Sequence, residues 1–160
     1  MARRLIACVA ALLLCAPAMP SGQAHGAWFG TWRLNPGKSS ERSTPSPYKR
    51  VTLRIEPGAD GLSVIYDMVG TRGGVTHLEW TGRFDGRDYP VQGSDAAITN
   101  AYRLTGDRSY DIIVKVDGAV AATVAVEISA DGRTMTVDTN ERGREGKTVR
   151  TTAVYDRAER

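Results

Sequence analysis

His77 and Glu79 set an imidazole two residues from a carboxylate, a spacing that places both on one face of an extended strand. Such a pair could act as general acid and base at neutral pH. The same face carries Thr81 and Arg83, and alternation turns it toward water rather than into a cleft. No catalytic residue is assigned there, and the chain is read as a non-enzyme. A second candidate is His25, which cleavage after Ala24 would make the N-terminal residue. Its amine and imidazole could together hold copper, which favours nitrogen ligands. A stable site needs a further ligand and His77 is the only other imidazole, so no metal site is assigned. The Asp-Gly pairs of the chain lack the alternating acids and closing glutamate of a calcium loop. No glycine-rich loop leads into a helix that could receive a phosphate, and no cofactor is expected.

Binding chemistry is better represented. Tyr66, Trp80, Asn100, Tyr102, Tyr110 and Tyr155 fall on strand faces that the alternation turns inward, alongside Met68. Tyrosine and tryptophan join an apolar body to a polar tip, and a lining of this kind suits a pocket for a small apolar or amphipathic molecule. These six are the candidate ligand-binding residues. Small barrels are often filled by their own side chains, so packing is the competing role for the same set.

The elements that must position them are short strands. Asp60-Gly61, Gly73-Gly74, Asp85-Gly86, Asp117-Gly118 and Asp131-Gly132 punctuate runs of alternating apolar and polar residues, and such pairs reach the positive φ angles of tight hairpin turns. Strands are predicted over Trp28–Leu34, Arg50–Glu56, Leu62–Val69, Val75–Phe84, Asp88–Val91, Ile98–Leu104, Ser109–Val116, Ala119–Ile128, Arg133–Thr139 and Lys147–Tyr155. In the clearest hairpin, Tyr110, Ile112, Val114 and Val116 should face Val120, Val124, Val126 and Ile128. Pro90 suits an edge or a bulge, and the proline-rich stretch 35–49 an irregular connection rather than lid helices. Each strand has one dry and one wet face. Closing the sheet into an antiparallel up-and-down barrel of about eight to ten strands buries the dry faces and removes both edges.

Residues 1–24 have the three parts of an export signal: Arg3 and Arg4, an apolar stretch from Leu5 to Ala18, and small residues at Gly22 and Ala24. The apolar stretch is too short for a membrane span, and a single domain over 25–160 without a transmembrane anchor is expected. Cys8 and Cys15 both lie in the signal, so that domain holds no disulfide. Losing Arg3 and Arg4 takes the formal charge from +3 to +1, which leaves little long-range attraction for nucleic acid. The expected product is a monomer in the periplasm or the medium.

Gly30-Thr31-Trp32-Arg33-Leu34 resembles the opening strand of the calycins, the lipocalins and fatty-acid-binding proteins, in which Gly-x-Trp sets an indole at the closed end of a barrel. The block Asp85–Ser94 and the ending Val154-Tyr155-Asp156 are similar to those of small exported bacterial lipocalin-like proteins of unsettled function. The resemblance implies that Gly30 and Trp32 are structural and that an arginine, Arg150 or Arg157, stands over the indole; Arg150 is the assignment made. Fatty-acid-binding proteins hold a ligand carboxylate with Arg-x-Tyr in the last strand. Here Tyr155 matches, and Ala153 stands in the arginine's place. The function expected is binding of a small apolar or amphipathic ligand inside the barrel. The alternative is a cell-envelope interaction module with a filled barrel.

Overall fold

The computed structural model describes residues 26–40, 48–59, 61–143 and 146–159. The expected export signal, its cleavage site, His25 and both cysteines lie outside the described residues, as does Asp60 of the first Asp-Gly pair. Ten strands follow in order: β1 (Gly30–Leu34), β2 (Tyr48–Gly58), β3 (Gly61–Gly70), β4 (Val75–Gly82), β5 (Tyr89–Gln92), β6 (Ile98–Gly106), β7 (Ser109–Val116), β8 (Ala119–Ile128), β9 (Thr134–Arg142) and β10 (Thr148–Arg157). Each pairs antiparallel with the next, and β1 pairs with β10, so the meander closes into a barrel.

Local chemistry accounts for this path. In β2, Val51, Leu53 and Ile55 are buried while Arg54 and Glu56 are exposed, the period of two that a one-sided strand requires. Asp117 and Gly118 join β7 to β8 with φ of 50° and 79°, the two positive angles of a type I′ turn, whose twist matches that of the strands it connects. Around Pro90 the sheet is thinnest. Strand β5 meets β4 only through Glu79 opposite Gln92 and Trp80 opposite Val91, and meets β6 only through Tyr89 opposite Asn100 and Pro90 opposite Thr99.

Four details depart from the expected strands. Trp28 precedes β1 rather than starting it, yet its side chain is fully buried with that of Trp32. The register of β7 on β8 shifts between Val114 and Lys115, which sets Val120 opposite Lys115 on the outer row. Val120 is therefore 51% exposed, and Ala122, opposite Val114, takes the inward place. Leu104, expected inward, overruns the end of the core beside the irregularity between Leu104 and Gly106 and is 37% exposed. Strands β9 and β10 also pair further than expected, from Arg142 with Thr148 to Thr134 with Asp156.

Candidate ligand-binding site

The two ends of the barrel differ. At the end holding Trp28, Trp32 and the C-terminal end of β10, inward side chains are packed out of water: Ile55, Leu62, Val64, Val126, Ile128 and Met135 are all nearly or fully buried. Toward the other end, bounded by the turns after β3, β5, β7 and β9, the same inward rows open. Along β3, Leu62 and Val64 are buried and Tyr66 and Met68 are half-buried. Trp80 gives way to Leu78 on β4, Tyr102 to Asn100 and Ile98 on β6, Ile112 to Val114 on β7, Met135 to Val137 and Thr139 on β9, and Tyr155 to Ala153 and Thr151 on β10. Six strands thus carry the same change from buried to half-buried along their inward faces. The barrel is packed at one end, and at the other its inward side chains are partly accessible to water.

An aromatic group floors that space. The Trp80 indole stacks on Tyr102 with centroids 3.9 Å apart and planes at 22°, and Tyr102 in turn stacks on Tyr110 at 5.5 Å. Phe84, which follows β4, meets Tyr110, Tyr102 and Trp28 edge-on or tilted at 5.3 to 6.0 Å. Trp80 donates its indole N–H to the backbone carbonyl of Asn100 at 3.3 Å, so this ring's polar edge is already occupied. Gly82 makes the arrangement possible, because a Cβ there would lie 2.4 Å from the Trp80 ring.

At and beside this floor four phenols converge from four strands. Tyr66 of β3, Tyr102 of β6, Tyr110 of β7 and Tyr155 of β10 all have pKa values raised above that of an ordinary phenol, mainly by burial; for Tyr102, Tyr110 and Tyr155, proximity to the Tyr66 phenol raises them further. All four are neutral at physiological pH. The Tyr66 and Tyr102 hydroxyls approach each other without the geometry of a hydrogen bond, so the buried Tyr102 hydroxyl has no partner among the described residues. The side-chain carbonyl oxygen of Asn100, two residues away on the same inward row of β6, is likewise buried and unpartnered. Burying such atoms without partners costs free energy unless something fills the bond. Tyr66, Trp80, Asn100, Tyr102, Tyr110 and Tyr155 are therefore brought together inside the barrel, with the first and third at the open level and the rest below it.

The plugged end is built from the chain's two ends. Arg157 stands over Trp32, its guanidinium carbon 4.2 Å from the indole centroid. It donates to the carbonyls of Phe29 and Gly132 at 2.6 Å each and to that of Ala27. Trp32 donates to the carbonyl of Trp28 at 2.8 Å. Arg150, assigned to this place from the sequence, lies near the opposite end of β10 with an exposed side chain 3.5 Å from Asp138. The sequence ended the last strand at Tyr155; two more residues of pairing set Arg157 opposite Trp32. Gly30 has φ of 131°, and a Cβ there would lie 2.8 Å from the Arg157 guanidinium, so both backbone and neighbour call for glycine.

On the outer wall His77 is bracketed by Asp67 and Glu79, with its two ring nitrogens 2.7 Å and 2.8 Å from their carboxylates. The trio is exposed, and no group of three or more His, Cys, Asp or Glu among the described residues is arranged to hold a metal ion. A depression of about 490 Å³ also opens outside the barrel, where Ala101, Arg103, Asp111, Ile113, Thr123 and Asn140 meet the loop at Gly86; none of the six ligand-binding candidates lines it. Phe84 and Val137 are interior residues that the site assignment left out. Alternation carried a signal for both: Val137 lies between Met135 and Thr139, and Phe84 shares the face of Leu78 and Trp80 in the expected strand Val75–Phe84, although β4 ends at Gly82.

No family model matches the chain, and no curated protein matches it. Among solved structures it is similar to zebrafish ileal bile acid-binding protein complexed with cholic acid, with a TM-score of 0.50 at 10% identity over 82% of this chain and 99% of that one. The likeness is one of fold: an all-β, closed antiparallel barrel of the calycin type.

Proposed function

We propose that the chain is an exported binding protein that takes one small apolar or amphipathic molecule into the open half of its barrel, without covalent chemistry. The observation that carries this reading is the shared change, along six inward strand faces, from buried at the Trp32 end to half-buried at the other. An interior filled by its own side chains would be buried along its whole length. The solved structure of similar fold holds cholic acid, a small amphipathic molecule, which agrees with the reading. Apolar ligand surface would be removed from water against Met68, Leu78, Val114 and Val137, over the Trp80–Tyr102 floor. The filled-barrel interaction module retains support only from the outer depression at Ile113, which is 42% exposed.

Export is part of the proposal and rests on residues 1–24. N-terminal sequencing of protein recovered from outside the cytoplasm should begin at His25, and retention of Met1 or a lipid on Cys8 would contradict it. Binding is tested with phenylnaphthylamine, an uncharged fluorescent probe. Saturable one-to-one binding with quenching of tryptophan emission is expected. Trp80→Ala should weaken it about tenfold or more, and Arg54→Ala, on the outer wall, should leave it unchanged. Absence of saturable binding, or equal loss in both variants, would overturn the reading.

A further inference from the structure

Among the described residues, the inner wall above the aromatic floor carries no charged side chain below its rim, where the inward row of β9 ends in the exposed Glu141. Its inward rows present Tyr66 and Met68, Leu78, Asn100 and Ile98, Val114, Val124, Val137 and Thr139, and Ala153 and Thr151. The charged residue that reaches the interior at the other end, Arg157, is committed to Trp32 and three backbone carbonyls. A ligand carboxylate would be buried there without a cation, which disfavours its binding or forces the acid to take up a proton. The two buried polar atoms that lack a partner there differ in kind. The Tyr102 hydroxyl can donate, and the Asn100 oxygen can only accept. A ketone or ester could satisfy the first and would leave the second bare. An alcohol answers both, because its oxygen accepts one hydrogen bond while its own O–H donates another.

From this complementarity we infer that the ligand is an uncharged amphipathic alcohol whose hydroxyl enters the barrel first, accepting from Tyr102 and donating to Asn100, with its apolar body lying toward the open end. The inference rests on the binding reading above and narrows it to a ligand class. The half-buried apolar residues Met68, Leu78, Ile98 and Val114 surround the path that the body would occupy. The phenols of Tyr66, Tyr110 and Tyr155 stay protonated beside the hydroxyl, so nothing in the wall repels it.

The experiment is competition against bound phenylnaphthylamine by dodecanol, methyl dodecanoate and dodecanoate, at about pH 8 where the acid is ionised. Dodecanol should displace the probe about tenfold more effectively than either of the other two, the value of one or two hydrogen bonds. Tyr102→Phe and Asn100→Leu should each erase most of that preference, read for each variant as the ratio of dodecanol to methyl dodecanoate displacement against its own phenylnaphthylamine affinity. Both replacements suit a buried site, and a melting curve establishes that each variant folds. Dodecanoate competing as well as dodecanol, or a preference for dodecanol that survives both substitutions, would overturn the inference while leaving the binding reading intact. Failure of phenylnaphthylamine itself to bind would overturn both.

Discussion

Trp32 and Arg157 face each other across the seam where the first strand meets the last, directly opposed in the β1–β10 register. The guanidinium lies over the indole and at the same time ties Ala27, Phe29 and the turn at Gly132 to the barrel's floor. Burial lowers the arginine's pKa from its ordinary value, but arginine remains charged at any physiological pH. A cation held over an aromatic face and by carbonyls adds directional bonds to apolar packing at the place where the sheet must close on itself.

Arg157→Ala should therefore lower stability by about 2–4 kcal/mol, through loss of the cation–π contact and of charge-assisted hydrogen bonds. Trp32→Ala, which removes a fully buried indole, should cost about 3–5 kcal/mol. Arg150→Ala, on an exposed pair with Asp138, should change stability by no more than about 0.5 kcal/mol. Urea denaturation midpoints check all three; equal midpoints for the two arginine variants would refute the assignment of Arg157.

Gly30→Ala is expected to destabilise by about 1–2 kcal/mol, because φ of 131° lies where side chains other than glycine's are strained. The added methyl also approaches the guanidinium that closes the floor. In the same denaturation assay Gly146→Ala, which also has positive φ but meets nothing within 4 Å, should cost less. A larger loss at Gly146 would show that the contact with Arg157 is unimportant.

His77 should titrate above the ordinary histidine value, since hydrogen bonds to Glu79 first and Asp67 second favour its charged form. Its folded pKa exceeds its unfolded one. The associated stability is therefore complete below the unfolded pKa of about 6.5 and is lost as pH rises through the raised value. Proton NMR of the imidazole checks the shift, and Glu79→Gln should bring the pKa down. An imidazole titrating at or below the ordinary value would mean that the bracket of carboxylates does not hold in solution.

The interior phenols predict a response of the same sign at more alkaline pH. Tyr66, Tyr102, Tyr110 and Tyr155 keep their protons longer in the folded barrel than in the unfolded chain. Their contribution to stability is full below the unfolded pKa of about 10 and fades as pH climbs beyond it. Ultraviolet titration at about pH 11 should show fewer phenolates in native protein than in protein unfolded in urea. Equal absorbance would place the four hydroxyls in water.

Much of the barrel was legible in the residues. Alternation in Val51–Glu56 and in Leu62–Met68 named the buried face correctly, because strand side chains alternate regardless of what lies across the sheet. Asp117-Gly118 located a tight hairpin for an equally local reason: the positive φ angles belong to those residue types. The inward set of Tyr66, Trp80, Asn100, Tyr102, Tyr110 and Tyr155 followed from the same arithmetic, and the fold gathers those six from five strands into one interior.

The sequence by itself thus determined the architecture, the strand faces and the tyrosine-rich character of the interior. Tertiary structure decided what depends on register and on depth along the barrel. A one-residue bulge sends Val120 outside although its period points inward. Two further residues of β10 pairing give Trp32 to Arg157 rather than Arg150. Depth decides that the Trp32 end is packed while Tyr66 and Asn100 are only half-buried, and that the Tyr102 hydroxyl finds no partner. Periodicity reports which side of a strand faces in. How far in, and against what, depends on where the other nine strands stand when the sheet closes.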